Sequence, residues 1–448
     1  MHDDWLTLLD ARVPRYTSYP TAPHFHAGIG ADQARQWLAQ VQLDKPISLY
    51  IHVPYCHQLC WYCGCNTSVT KSEEPVARYV KALIADLETS AALLPARPRV
   101  GHLHFGGGSP NRLTVAQFDL IMAALRQHFD FEPDAEMAVE IDPRFVTDAQ
   151  ITSYTKAGIN RASIGVQDFD AKVQMAIHRL QPFAQVKQVV ERLRASGINA
   201  INFDLIYGLP LQSEASILNT VKKTLSLAPS RIALFGYAHV PWMKKQQKSL
   251  ERFSMPDQRQ RARLASLARS RLEDAYRPIG IDHFARPGDS LDVADQSKSL
   301  RRNFQVYTTD QADTLLAFGP SSISRFPQGF IQAQSDTQIW MKQVQSGEFP
   351  AARGIALTQD DYLRSHIIED LMCALSVNLE TVAQRHQADP AQFLPALEAM
   401  KPYLDHGMAS LSGWQLAIKP EWRVATRSIA ALFDAYLQSG KQRHSVAV

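Results

Sequence analysis

Between residues 47 and 237 the chain repeats one pattern: a short apolar run, a turn and, in most cases, an amphipathic helix. The runs are "ISLYIHV" (47–53), "VGHLHF" (100–105), "EMAVEID" (136–142), "RASIGV" (161–166), "AINFDLI" (200–206) and "RIALFGY" (231–237). After the first run, Val76, Tyr79, Val80, Leu83, Ile84 and Leu87 recur at helical spacing, with Ser72 placed to cap the helix and Pro75 in its first turn. After the second, Val115, Phe118, Ile121, Met122, Leu125 and Phe129 mark one buried helix face. Alternating strands and helices imply parallel strands joined by right-handed crossovers. Six units are too few to close an eight-stranded barrel. The pattern therefore predicts an α/β fold built on a partly open parallel (β/α)6 barrel. Residues 1–46 read as a separate N-terminal segment, 47–350 as the barrel with an extension, and 351–448 as a mainly helical C-terminal domain that includes a hairpin.

Ligands of parallel sheets bind at the carboxyl ends of the strands. The polar and glycine-rich stretches of this chain collect there: "CHQLCWYCGC" after the first run, "GGGSP" after the second, then "EIDPR", "GVQD" and "DLIYGLP". Net charge is only +3 from 47 basic and 44 acidic residues, so no global field points to nucleic acid or a membrane surface. No stretch of about 18 uncharged apolar residues is present, which predicts no spanning helix. The first twenty residues lack a secretory signal pattern, and five cysteines in 448 residues are no disulfide framework. These features predict a cytoplasmic protein, and nothing in them demands more than a monomer.

Four of the five cysteines fall within Cys56–Cys65, spaced C-x3-C-x2-C-x-C. Thiolates at such density bind soft metals, which leaves zinc or an iron–sulfur cluster. A structural zinc site usually joins two C-x2-C knuckles from separate segments. Three thiolates on one compact loop fit a 4Fe–4S cube with one iron open. Spacing alone does not choose which of the four thiols stays free.

"YIHVPYCHQLCWYCGCN" resembles the radical S-adenosylmethionine (SAM) enzymes, specifically the oxygen-independent coproporphyrinogen III oxidase family. The similarity continues in order through "RYTSYPTA", "HFGGGSP", "VEIDPR", "GVQDFD", "FDLIYGLP", "YAHVP", "IDHFARP", "RNFQVYTT" and "RGIALT". It implies a 4Fe–4S cluster on Cys56, Cys60 and Cys63, with Cys65 a non-ligand, and SAM on the open iron. Reductive cleavage of SAM would give a 5′-deoxyadenosyl radical. Catalytic positions would be Tyr50 and His52, which share a strand face near the cluster. SAM would meet Tyr50, Tyr62, Gly64, Cys65, Gly107, Gly108, Ser109, Glu140, Gln167, Arg179 and Asp204. The glycines would let backbone approach the ligand, and Arg179 would suit its carboxylate. Ala238, Phe304, Gln305 and Ile323 complete the SAM set; of these, Phe304, Gln305 and Ile323 match positions around a second molecule. The reaction implied is oxidative decarboxylation of two of the four propionates of coproporphyrinogen III, giving protoporphyrinogen IX, with an electron donor protein as partner. Arg15, Arg286 and Arg302 are the candidates for meeting the anionic tetrapyrrole. A haem carrier or a haem-modifying radical enzyme on the same scaffold is the alternative.

The chain departs from the family pattern at "GGSP" and at "LAFGPSSIS" (316–324), where Ala317 stands for a glycine and Pro320 fixes a backbone angle. His102 and His104 share a face and receive no role. Cys373 reads as a buried small hydrophobe.

Overall fold

The computed structural model describes residues 8–9 and 12–437; the remainder of the two terminal segments lies outside the described residues. Six parallel strands run in chain order across one sheet: β1 (Ile47–Val53), β2 (Arg99–Gly107), β3 (Asp130–Ile141), β4 (Arg161–Gln167), β5 (Ala200–Tyr207) and β6 (Arg231–Gly236). Each is followed by a helix: α1 (Glu74–Ala91), α2 (Val115–His128), α3 (Asp148–Lys156), α4 (Phe183–Ala195), α5 (Glu214–Leu227) and α6 (Gln258–Glu273). In β1 every residue but Tyr50 is buried, as expected of a strand covered on both faces. In α1 the predicted stripe does the covering: Val76, Tyr79, Val80, Leu83 and Leu87 are buried against the sheet.

Two local expectations are corrected. Glu73, not Ser72, occupies the cap position of α1, although the Ser72 hydroxyl still accepts the Glu74 N–H at 3.4 Å. β3 begins at Asp130, because "DFEPDA" pairs with Arg99 and Val100 before a register shift leads into the apolar run. Neither an acidic nor a proline-containing stretch carries a strand signal of its own.

The sheet grows beyond the six strands at both edges. β7 (Arg277–Ile279) and β8 (His283–Ala285) add antiparallel to β6. On the other side β9 (Leu315–Phe318) pairs parallel with β1, and β10 (Ile323–Phe326), β11 (Gly329–Ala333) and β12 (Ala351–Ala356) follow antiparallel. The sheet thus takes up residues just past 350. It stays open, ending in β12 and β7 as separate edges.

A second core forms beyond the barrel. Leu9, Val13, Tyr16 and Tyr19 of the N-terminal segment pack with Leu363, Ile367, Leu371, Phe393, Ile429 and Phe433. Three short strands, Ser376–Asn378, Gln415–Ile418 and Ala409–Ser412, form a small sheet among the helices there. Cys373 is buried with Ile279, Leu291 and Tyr307. The N-terminal segment is also pinned by polar bonds. The Tyr16 hydroxyl donates to Asp434 Oδ2 at 2.9 Å, and the Tyr19 hydroxyl accepts the Ala435 N–H at 3.0 Å. His26 and Gly354 exchange backbone hydrogen bonds, which covers the free edge of β12.

Tyr16→Phe removes the donor to Oδ2 of the buried Asp434 carboxylate and leaves it, among the described residues, only the Tyr436 N–H on Oδ1. It should lower unfolding stability by about 1–3 kcal/mol in urea titrations. An unchanged midpoint would mean that this bond does not hold the segment.

Candidate functional site

The loop of cysteines leaves the end of β1 and lies over the barrel mouth. Its backbone is held from two sides. The Trp61 N–H bonds Ile177 O at 3.0 Å, the His178 ring donates to Leu59 O at 2.9 Å, and the Trp61 and His178 rings stack at 4.9 Å. Opposite them, Lys244 Nζ, Gln246 Nε2 and Gln247 Nε2 donate to the carbonyls of Cys65, Cys63 and Tyr62 at 2.7, 2.8 and 2.9 Å. Thiols so placed need not search for their positions. None of the three clamping residues had a sequence signal beyond a polar run.

Cys56, Cys60, Cys63 and Cys65 line one cavity of about 200 Å³, together with Tyr62, Gly64, Gly107, Gly108, Ser109, Glu140, Gln167, Arg179 and Asp204. The expected first SAM set therefore comes together, apart from Tyr50, which stands beside it through His52. Ala238, Phe304, Gln305 and Ile323 do not line this cavity. Phe304 and Gln305 face the barrel lumen, Ala238 faces a separate pocket, and Ile323 packs in an apolar cluster with Phe304 and Phe330.

The thiols are not equivalent. Burial pushes Cys56 up to about 12, partly offset by the Thr67 hydroxyl 3.1 Å away. Cys63 is drawn down to about 7, first because the Cys65 thiol donates to it, with the Cys65 backbone N–H also bonding its sulfur at 3.4 Å. Cys65 thus serves Cys63 as a donor. Among the described residues no three Cys, His, Asp or Glu side chains converge as ligands of a single ion. Three thiols spread around one cavity, with Cys65 turned to support a neighbour, fit a cluster that takes one thiolate at each of three irons.

Asp142, just beyond β3, ties this loop to the barrel. Its carboxylate accepts Arg144 Nη2 at 2.7 Å and Arg179 Nη1 at 3.3 Å, and both guanidiniums also reach Cys60 Sγ at 3.4 Å. Burial works against the charge, but Arg179 and Arg144 outweigh it and hold Asp142 down at about 2. Arg179 further donates to Gly165 O and Gln181 Oε1. Four of its five N–H groups are engaged, so its fork anchors the loop and is not open for a bidentate grip on a ligand carboxylate. Arg144 and Asp142 escaped the residue-by-residue expectations, although the quoted "EIDPR" contains both.

At the end of β2 the close packing comes from the protein itself. A Cβ on Gly107, whose φ is +107°, would meet the His52 ring at 2.7 Å; one on Gly108 would meet Thr67 Oγ1 at 2.5 Å. These glycines are thus required by the chain's own side chains, ligand or none. Around them runs a polar chain. The Tyr50 hydroxyl donates to His52 Nδ1 at 3.1 Å, and His52 Nε2 donates to Asn66 O at 2.9 Å. Because a carbonyl can only accept, Nε2 carries the proton and Nδ1 is the acceptor. Burial lowers the His52 pKa, which keeps this ring neutral. Glu140 accepts from the Gly107 N–H at 3.2 Å and contacts His104 Nε2 at 3.1 Å, which gives His104 a place in the site. Asp204 is pushed up to about 6 by burial and then by Glu140. Gln167 turns into the cavity from a left-handed backbone (φ 65°), and its buried Oε1 has no partner among the described residues. That orphaned acceptor fits a ligand with N–H or O–H groups, as SAM has.

Arg15 and Arg302 come together in the pocket that includes Ala238, lined also by Arg261, Arg269, Arg427 and Asp282. Arg286 does not join them. β8 runs antiparallel to β6, so Arg286 emerges beside Arg231 at the amino end of β6, exposed and at the far end of the barrel from the cysteines.

Residues 50–224 match the family model of the radical SAM superfamily. The chain is 46% identical over 98% of both lengths to the oxygen-independent coproporphyrinogen III oxidase of Bradyrhizobium diazoefficiens, and 37% identical over 96% of both to that of Helicobacter pylori strain J99. Its fold superposes on the structure of coproporphyrinogen III oxidase from Escherichia coli, described as a radical SAM enzyme, with a TM-score of 0.90 and 34% identity over 95% of this chain and 100% of that one. Cysteine loop, barrel rim and full-length similarity agree: this chain belongs to the oxygen-independent coproporphyrinogen III oxidase family of radical SAM enzymes.

Proposed function

We propose that the protein converts coproporphyrinogen III to protoporphyrinogen IX by oxidative decarboxylation of two propionates, without oxygen, in haem biosynthesis. One observation carries this reading most directly: the cavity of cysteines, the barrel lumen and the pocket of arginines are neighbours. The lumen shares Glu140, Ser163 and Asp204 with the first, and Phe235, Phe304 and Val306 with the second. A radical source and a carboxylate receptor thus share one barrel mouth.

Cys56, Cys60 and Cys63 would hold a 4Fe–4S cluster with SAM beside it, and that pair would supply reductive radical chemistry when bound. The protein's own tasks are to place the partners, hold charges and keep water out. Gln167 and Glu140 offer acceptors to SAM. Asp204, held half-protonated near pH 6 by burial, sits where the SAM cavity meets the lumen. Tyr50 and His52 form a neutral pair beside the cluster loop, which adds no charge near the radical. Phe304, Gln305 and Ile323 are the proposed neighbourhood of a second SAM, with Ala238 in the adjoining arginine pocket. Its support is that Phe304 walls both lumen and arginine pocket. An electron donor protein reduces the cluster in this reading. The five cysteines are all unpaired, which suits a reducing cytoplasm, and no described helix is long and apolar enough to cross a membrane. The reading takes the protein as a monomer.

Anaerobic turnover of the reconstituted protein with SAM, a reductant and coproporphyrinogen III should yield protoporphyrinogen IX, a tricarboxylic intermediate and 5′-deoxyadenosine. Deoxyadenosine without decarboxylation would redirect the assignment to haem as substrate. No SAM cleavage from a loaded, reduced cluster would favour a carrier.

Arg144→Gln removes one donor to the Cys60 sulfur while keeping a polar side chain. Donors to cluster sulfurs stabilise the reduced state, so the midpoint potential followed by electron paramagnetic resonance should move to more negative values. An unchanged potential would limit Arg144 to packing.

Asp142 stays ionised down to pH about 2 in the folded protein, whereas an unfolded aspartate titrates near about 3.9. Its share of stability is therefore full above that value and is lost as pH falls toward 2. The share is on the order of 2–3 kcal/mol. Thermal unfolding of Asp142→Asn at a series of pH values should show a lower and flatter acid limb than wild type. Parallel limbs would refute the assignment.

A further inference from the structure

We infer that the arginine pocket is the receptor for the two carboxylates that the reaction leaves in place, so that anchoring there decides which propionates are cleaved. The inference rests on the tetrapyrrole reading above.

Five guanidiniums line the pocket against a single described acid, Asp282. They come from four separate parts of the chain: Arg15 from the N-terminal segment, Arg261 and Arg269 from α6, Arg302 from the strand Arg301–Asn303, and Arg427 from the helix Thr426–Ala430. Asp282 is already engaged, with His283 Nδ1 2.7 Å from its carboxylate. A set of cations this dense, mostly away from water, repels itself. Burial first, and then Arg15, bring Arg427 down to about 10. Such an arrangement is costly without an anionic partner.

The donors have room for one. Arg302 is only 8% exposed and donates to Tyr16 O and Arg15 O, yet its buried Nη1 has no hydrogen-bond partner among the described residues. Arg269 bonds Ile281 O through Nη2, while its buried Nη1 makes no hydrogen bond and has only a long ion pair, 3.8 Å, to the half-exposed Glu273. The Arg427 guanidinium lines the same pocket, where Asp282 is the acid that partly offsets its lowered pKa. Planar guanidinium forks match carboxylates in geometry as well as charge.

Position decides which carboxylates these are. The pocket and the cysteine cavity share no lining residue; the lumen separates them. A propionate gripped by Arg302, Arg269 and Arg427 is held away from the SAM cavity, where the radical forms. Of the four propionates, two lose their carboxylates and two keep them. The two gripped are therefore the two retained, and the product carries the same anchors as the substrate.

The test uses full-length, cluster-loaded protein with two air-stable probes, coproporphyrin III and protoporphyrin IX, and fluorescence to read binding. Protoporphyrin IX keeps only the two retained propionates. Arg269→Gln and Arg427→Gln should each weaken both porphyrins by about tenfold or more, which is the weight of one hydrogen bond to a charged group. The KM for coproporphyrinogen III should rise with them. SAM affinity and iron content, unchanged, certify the fold, and Arg→Lys at either position should recover part of the loss. Weakening of coproporphyrin III alone would place the cleaved propionates in the pocket and overturn the inference, as would no weakening of either probe. Wild-type protein that cleaves SAM but does not decarboxylate coproporphyrinogen III would instead sink the reading on which this rests.

Discussion

The carboxylate of Asp142 accepts one guanidinium from its own turn, Arg144, and one from the far side of the barrel rim, Arg179, and both of these touch the sulfur of Cys60. Three charged groups are taken largely out of water to make this knot, and the desolvation offsets much of their attraction. What the knot supplies is position. A loop rich in cysteines carries no apolar face of its own, so its place on the barrel must come from directed bonds. Arg179 binds Gly165 in β4, Asp142 follows β3, and Cys60 belongs to the loop after β1. Loss of any one group leaves charge buried without its partner, which is a far greater cost than the net worth of the set.

The barrel was legible because its signals are local and repeated. Strands covered on both faces read as continuous apolar runs, and the helices that cover them carry one-sided stripes. The rim followed from the rule that parallel sheets bind at their carboxyl ends, and four cysteines in ten residues named the loop. What escaped reading was set by contacts distant in sequence. Arg179 looked free to grip a ligand until its fork was found committed to Asp142 and Gly165. The glycines at 107 and 108 make room for His52 and Thr67. Arg286 sits in a motif beside β8, but the antiparallel direction of that strand carries it to the wrong end of the barrel. Lys244, Gln246 and Gln247 have no periodicity that would single out a clamp.

The site also separates charge from reactivity. Asp142, Arg144 and Arg179 cluster on the Cys60 side of the loop. On the other side stand a neutral imidazole and a tyrosine hydroxyl, with Asn66 O fixing the tautomer. A radical abstracting hydrogen needs no proton carrier beside it, and this pair adds no charge of its own next to the Glu140 carboxylate. The polar chain through Glu140 and His104 continues into the lumen.

An open sheet leaves a gap that a macrocycle can approach from the side, but an open mouth also admits water. The N-terminal segment and the C-terminal helices pack together beside it. Because Tyr16 and Tyr19 lie in one apolar core with the helices after residue 359, the N-terminal segment is part of the wall and is not an appended arm. Arg302 is hydrogen-bonded to the backbone of that segment, and a cavity of about 400 Å³ lies between Arg302, Phe304, Phe330 and the stretch from Tyr16 to Tyr19. The same packing thereby brings Arg15 and Arg427 to the barrel's side pocket. Packing and charge placement are one structural fact: the second core exists where the first leaves the barrel open.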